Sequence, residues 1–218
     1  MVIARILSVV IGYVCGLFET SYIYGKLKHT DIREHGSGNA GTTNALRTFG
    51  IWGGVITLVG DLAKSMLAVF LAWVFFHNQY PEGVKLLMMY AGIGAILGHN
   101  FPFYLNFKGG KGIACTGGFI LAFCIRIAPI CLVAFILVVA LTRYVSLGSL
   151  VVVTLFYIQL LLFGNMGWLN VGSQYLNEIY LLGAFIVIMA FVRHRGNIVK
   201  LKNGTENKIS FHKKGNEE

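Results

Sequence analysis

Most of the residues able to do chemistry in this chain fall into three short segments separated by long apolar runs. The first is His35-Gly36-Ser37-Gly38-Asn39-Ala40-Gly41-Thr42-Thr43-Asn44-Ala45-Leu46-Arg47. Gly36, Gly38 and Gly41 let the backbone turn sharply and come close to a ligand. Ser37, Asn39, Thr43 and Asn44 supply neutral donors, and Arg47 follows one to two turns later. If 42–49 opens a helix, its free N–H groups add an anion site. The second segment ends in Lys108-Gly109-Gly110-Lys111-Gly112, two point charges on a backbone free enough to wrap a phosphate. The third is Arg193-His194-Arg195-Gly196-Asn197, in which His194 and Asn197 share a helical face and can orient a hydroxyl. Between the last two lies the joint Thr142 to Ser149, with Arg143 and Ser146.

Two motifs nearly match and fail. Gly36, Gly38 and Gly41 spell GxGxxG, with Asp61 twenty residues after Gly41, but an apolar helix precedes them where a dinucleotide fold needs a strand. Gly36 to Gly41 is also GxxxxG, but Thr42 stands where a P-loop needs lysine. Zinc spacing, HEXXH, a GxSxG elbow and an HxxxxD signature are all missing. The three segments are rich in cations and poor in carboxylates, which suits electrostatic stabilisation of phosphodianions better than general-base chemistry. His99 reads equally well as a ligand-facing donor or as a packed helix-end histidine. Asp61 and Lys64, three apart inside an apolar run, read as an ion pair bracing the site.

The elements that must position these residues are membrane helices. Of 218 residues, 56% are hydrophobic and 12% charged, far from the soluble norm. Apolar segments run at about 2–24, 52–76, 85–98, 112–124, 126–141, 147–163 and 178–192. The expectation is an all-α integral membrane protein of about seven transmembrane helices in a single domain, 1–218, with a basic tail from about 199. Several segments fall short of the roughly 20 residues of a full span, so five or six spans with re-entrant pieces stay open. The net charge of +9 is concentrated in alternate loops. Fourteen of the eighteen Lys and Arg, including Lys213 and Lys214, fall on one side of a seven-span layout; Arg5, Lys85 and Arg126 fall on the other. Basic loops stay in the cytoplasm, so the N-terminus is expected outside and the C-terminus inside. Topology and anionic lipid account for this charge without nucleic acid. The loop 164–177, with Trp168 and no basic residue, fits the outer face. Cys15, Cys115, Cys124 and Cys131 read as packing residues.

Over nearly its full length the chain resembles the bacterial acyl-phosphate-dependent glycerol-3-phosphate acyltransferases (the PlsY family). The resemblance rests on GSGNAGTTNALR at 36–47, DLAKS at 61–65, GHNFPFYLNFKGGKGIA at 98–114 and RHRGNIVKLKNGTE at 193–206. It implies a seven-helix fold in the bacterial plasma membrane, with the active site on the cytoplasmic face and no metal or organic cofactor. It also implies acyl transfer from acyl phosphate to glycerol 3-phosphate, giving 1-acylglycerol 3-phosphate and phosphate, with the substrate's own phosphate accepting the proton. By position it implies catalytic roles for Ser37, Arg47, Lys108, His194 and Asn197. Substrate binding would fall to Gly36, Gly38, Asn39, Gly41, Thr43, Asn44, Gly109, Gly110, Lys111, Gly112, Ser146 and Arg193. A phosphate-ester transporter would share the cationic loops, but the polar residues crowd one face and no inverted repeat is evident. A donor such as acyl-CoA or acyl carrier protein stays open on the residues alone.

Overall fold

The computed structural model describes residues 1–209; Lys213, Lys214 and the end of the basic tail lie outside them. Among the described residues every regular element is helical: α1 (Val2–Gly16), α2 (Thr20–Leu27), α3 (Thr42–Phe76), α4 (Val84–Asn100), α5 (Ile113–Phe123), α6 (Ala128–Thr142), α7 (Val145–Asn165), α8 (Leu176–Arg193) and α9 (Arg195–Lys202). Six of the seven apolar segments read from the sequence correspond to single helices, and the first, 2–24, is split into α1 and α2. Five stretches are long and apolar enough to cross a membrane: Val2–Leu27, Thr42–Phe76, Val84–Leu105, Val145–Asn165 and Ser173–Arg193. The helices α5 and α6 have 11 and 15 residues, below the length of a full span.

Small residues set how closely the helices approach. Gly12 and Gly16 of α1 face Gly94 and Gly98 of α4, two small-xxx-small pairs packed against one another. A Cβ at Gly12 would lie 2.0 Å from the Ala91 carbonyl oxygen, and one at Gly98 would lie 2.3 Å from that of Tyr13. Lipid offers helices no hydrophobic reason to associate, so close backbone packing of this kind does that work. On the other side Gly118 of α5 admits the Leu62 carbonyl of α3, 2.2 Å from where a Cβ would stand. The apolar core of α4, α5, α7 and α8 fills with Phe119, Phe123, Phe156 and Leu160. Ile3, Trp52, Leu141 and Leu181 stay exposed on the outside, a belt suited to hydrocarbon.

Two breaks matter for the site. The first long stretch is interrupted at Leu17–Glu19, between α1 and α2, which leaves the Phe18 carbonyl free. Within α3, Gly50 has φ 78° and ψ −169°, a conformation that glycine adopts without the steric cost a Cβ would bring. It separates a first two turns carrying Arg47 from the long apolar stretch beyond. The sequence expectation of a helix over 42–49 is met, with extended Gly41 as its N-cap.

The candidate active site

The three motif segments meet at one end of the bundle. The glycine loop precedes α3, the KGGKG turn links α4 to α5, and His194 joins α8 to α9.

In the glycine loop, Gly36 and Gly38 both have positive φ, 60° and 69°, and the buried Asn44 amide holds the loop from below. Its Oδ1 accepts the Ser37 N–H at 2.8 Å, and its Nδ2 donates to the carbonyls of Ile32 (3.1 Å) and His35 (2.9 Å). Asn44 is therefore engaged with the loop. Ser37 and Arg47 are exposed, while Asn39, Gly41 and Thr43 are partly buried behind them. Beside the loop Asp31 bonds Arg33 at 2.8 Å, which lowers its carboxyl to about 2.

The KGGKG turn is clamped by Arg193, which donates to the carbonyls of Gly109 (3.1 Å) and Gly110 (2.6 Å) and stacks over Phe101. Like Asn44, Arg193 is engaged with backbone. The Lys108 side chain is exposed and makes no hydrogen bond or ion pair among the described residues. Lys111 donates to Asn197 Oδ1 at 2.5 Å, so this distance joins the second and third segments. Burial lowers the Lys111 ammonium's pKa, with Glu206 opposing. Gly112 turns into α5 with φ 78°.

His194 is buried, and its Nδ1 lies 2.8 Å from the Ala190 carbonyl. A carbonyl only accepts, so Nδ1 carries the proton and Nε2 keeps its lone pair. Burial, reinforced by nearby Lys111 and Arg193 and partly opposed by the Ala190 bond, lowers the imidazole to about 4. At neutral pH it is a neutral acceptor, the form that can align a hydroxyl. Ser146 is buried at the start of α7 with its Oγ unpartnered among the described residues.

Two features escaped the sequence reading. One is a strap: residues 203–209, largely exposed, return across the site end and are hydrogen-bonded to it. Asn197 Nδ2 donates to both Glu206 carboxylate oxygens (2.9 and 3.1 Å), Arg47 reaches the Asn207 carbonyl at 3.4 Å, and Ile209 pairs with Arg143. The other is a buried ionic cluster. The Asp61–Lys64 pair is present at 3.0 Å, as expected, but Lys64 also bonds the Phe18 carbonyl (2.7 Å) and His99 Nδ1 (2.9 Å). Glu19 adjoins them, its Oε1 3.0 Å from His99 Nδ1. Glu19 is a lone acid in the first apolar stretch, which was the one available signal. Asp61, His99 and Cys115 bring three metal-ligating atoms within 4.8 Å of one another. The Lys64 ammonium already bonds two of these groups, so a cation of the protein's own stands there. All four cysteines are free thiols.

The profile of the glycerol-3-phosphate acyltransferase family matches residues 6–204. A glycerol-3-phosphate acyltransferase of Alkaliphilus metalliredigens is 40% identical over 210 residues, covering 94% of this chain and 96% of that protein. Among solved structures, the chain is similar to PlsY (YgiH), an integral membrane glycerol 3-phosphate acyltransferase, in its glycerol 3-phosphate form: TM-score 0.80, 27% identity, 94% of this chain and 96% of that one. The lysophosphatidic acid form of the same enzyme gives a TM-score of 0.78 at 26% identity, covering 95% and 96%. Near-full-length identity and a shared fold agree with the three motif segments meeting at one end: this chain belongs to the family of integral membrane glycerol-3-phosphate acyltransferases.

Proposed function

We propose that the chain transfers a fatty acyl group from acyl phosphate to the 1-hydroxyl of glycerol 3-phosphate, at the cytoplasmic face of a bacterial plasma membrane. The products are 1-acylglycerol 3-phosphate and inorganic phosphate, so the reaction opens phospholipid synthesis. The observation that carries this reading is the junction of Lys111 with Asn197 at 2.5 Å, beside His194 and the Arg193-clamped turn. It joins a phosphate-type turn to a hydroxyl-orienting pair.

The chemistry follows from charge. Two phosphodianions about 6 Å apart at an effective dielectric of about 20 repel by on the order of 10 kcal/mol. Arg47, Lys108 and Lys111, with N–H groups of the glycine loop and of the α3 N-terminus, offset that repulsion. Ser37, Asn39, Thr43 and Ser146 add neutral donors. His194 Nε2 and Asn197 align the 1-hydroxyl toward the carbonyl of the mixed anhydride. The new ester C–O bond forms, the C–O bond to phosphate breaks, and the hydroxyl proton leaves with the departing phosphate. Positioning supplies much of the rate, and no step needs a cofactor. The acyl chain lies among membrane lipid.

The seven-span layout counts α5 and α6 as spans, although they are only ~16 and ~22 Å long against ~30 Å of hydrocarbon. If neither spans, the orientation is unchanged, because removing two consecutive segments leaves an odd number. An outer N-terminus and inner C-terminus are supported by the basic loops around the site and by Arg5, Lys85 and Arg126 at the far end. The whole chain is taken as one domain, with α9 and the strap completing the site.

The donor is tested by giving purified enzyme glycerol 3-phosphate with palmitoyl phosphate, palmitoyl-CoA or palmitoyl acyl carrier protein in parallel. Lysophosphatidate from the first alone is expected. Equal or better use of a thioester would replace the donor and leave the acceptor assignment standing.

A further inference from the structure

The buried cluster has no place in the mechanism above, yet it is costly. Glu19, Asp61, Lys64 and His99 are 0, 1, 5 and 2% exposed, and ionisable groups at such depth carry a desolvation penalty of several kcal/mol each. Groups of this kind inside a membrane protein usually serve a site. Glu19 Oε1 lies 3.0 Å from His99 Nδ1 and 3.8 Å from Lys64 Nζ, while its Oε2 has no hydrogen-bond partner among the described residues, so stability alone does not account for the arrangement.

What the cluster touches is the back of the KGGKG turn. Gly109 and Gly110 donate backbone N–H bonds to the carbonyls of Asn100 (3.2 Å) and His99 (3.0 Å). A Cβ on Gly110 would lie 2.0 Å from His99 Nε2, one on Gly109 would lie 2.0 Å from the His99 carbonyl oxygen, and one on Gly112 would meet Asn100 Oδ1 at 2.8 Å. The turn thus rests directly on the His99 ring and the Asn100 amide. Asn100 is fully buried, with both amide atoms unpartnered. The ring is held from behind. Lys64 Nζ at 2.9 Å and Glu19 Oε1 at 3.0 Å both hold Nδ1, on the side of the ring away from Nε2, the nitrogen that faces the turn. Asp61 and the Phe18 carbonyl in turn hold Lys64.

We propose that His99, locked by Lys64, is a positioning residue that sets the height and shape of the KGGKG turn, and through it the reach of Lys108 and Lys111 to a substrate phosphate. The cluster acts through the turn and touches no substrate. This proposal rests on the reading of that turn as a phosphate site.

The test is a steady-state comparison of His99→Ala, His99→Gln, Lys64→Met and Lys64→Arg, with thermal stability in detergent measured alongside. His99→Ala and Lys64→Met are expected to raise the KM of one phosphate substrate at least tenfold, with the other KM within about twofold. The donor-retaining His99→Gln and Lys64→Arg should recover at least a third of that rise. If the harsher pair fails to fold, the conservative pair decides, with a threefold or larger rise in the same KM expected. A merely structural brace would lower Tm or folded yield and leave both KM values at wild type; that result overturns the proposal, whatever happens to kcat. Wild-type kinetics in Lys108→Ala and Lys111→Ala would instead remove the phosphate reading of the turn, which is a separate failure.

Discussion

The two ends of the bundle treat charge in opposite ways. At the end that carries the N-terminus, each cation is matched inside the protein. Arg5 makes a bidentate bond to Glu178 at 2.7 and 2.6 Å, which Tyr90 also reaches. Lys85 bonds the Phe123 carbonyl, and Arg126 stacks on Trp168. At the site end Lys108 is exposed without an ion pair, Arg47 has a single long bond to a strap carbonyl, and Ser146 Oγ is unpartnered. Paired charges stabilise a fold; uncommitted charges gathered around a glycine turn await a ligand. Donor capacity left open at one end, and closed at the other, separates a site from a scaffold with the same residue types.

That contrast can be broken by substitution. Lys108→Ala should have the largest effect, a fall of about 10²–10³ in kcat/KM with Tm nearly unchanged, measured by lysophosphatidate formation; activity near wild type would return Lys108 to topology alone. His194→Ala should cost about 10² in the same assay, the range for losing one group that aligns a reacting hydroxyl. Arg5→Ala should be the mirror image of both. The mutant should lose a few degrees of Tm, in line with ~1 kcal/mol for a partly exposed bidentate pair, while kcat stays at wild type.

A smaller, sharper effect is expected in pH. His194 titrates near 4 in the folded protein against an ordinary value of about 6.5. Lowering pH from about 6.5 toward 4 protonates the unfolded chain first, so Tm should fall across that window and level off below it. Above it the neutral ring persists, and kcat should show no His194 titration between pH 6 and 8. His194→Gln should flatten the acid limb of the Tm profile; an unchanged limb would mean another group causes it.

Much of this molecule was legible in its residues, and the remainder has physical reasons for being hidden. The seven apolar segments became helices because runs without polar interruption have few other options in lipid. The glycine loop, the KGGKG turn and the His194–Asn197 pair came together at one end, as the charge asymmetry implied. Asn44 and Arg193, which the resemblance assigns to substrate binding, bond loop and turn backbone in the fold, a choice of partner that polar residue types alone do not reveal. Glu19 was passed over because its partners lie 45 and 80 positions away, at Lys64 and His99, and helical periodicity carries no such information. The strap reads as part of a basic tail by composition, and its bonds to Asn197, Arg47 and Arg143 fold it back across the site.

The most direct test of the account is phosphate release from palmitoyl phosphate by the purified protein, with and without glycerol 3-phosphate. Release that depends on the acceptor, matched one for one by 1-acylglycerol 3-phosphate, is the predicted result. A stable protein that releases no phosphate with both substrates present, beside an active control enzyme, would contradict it.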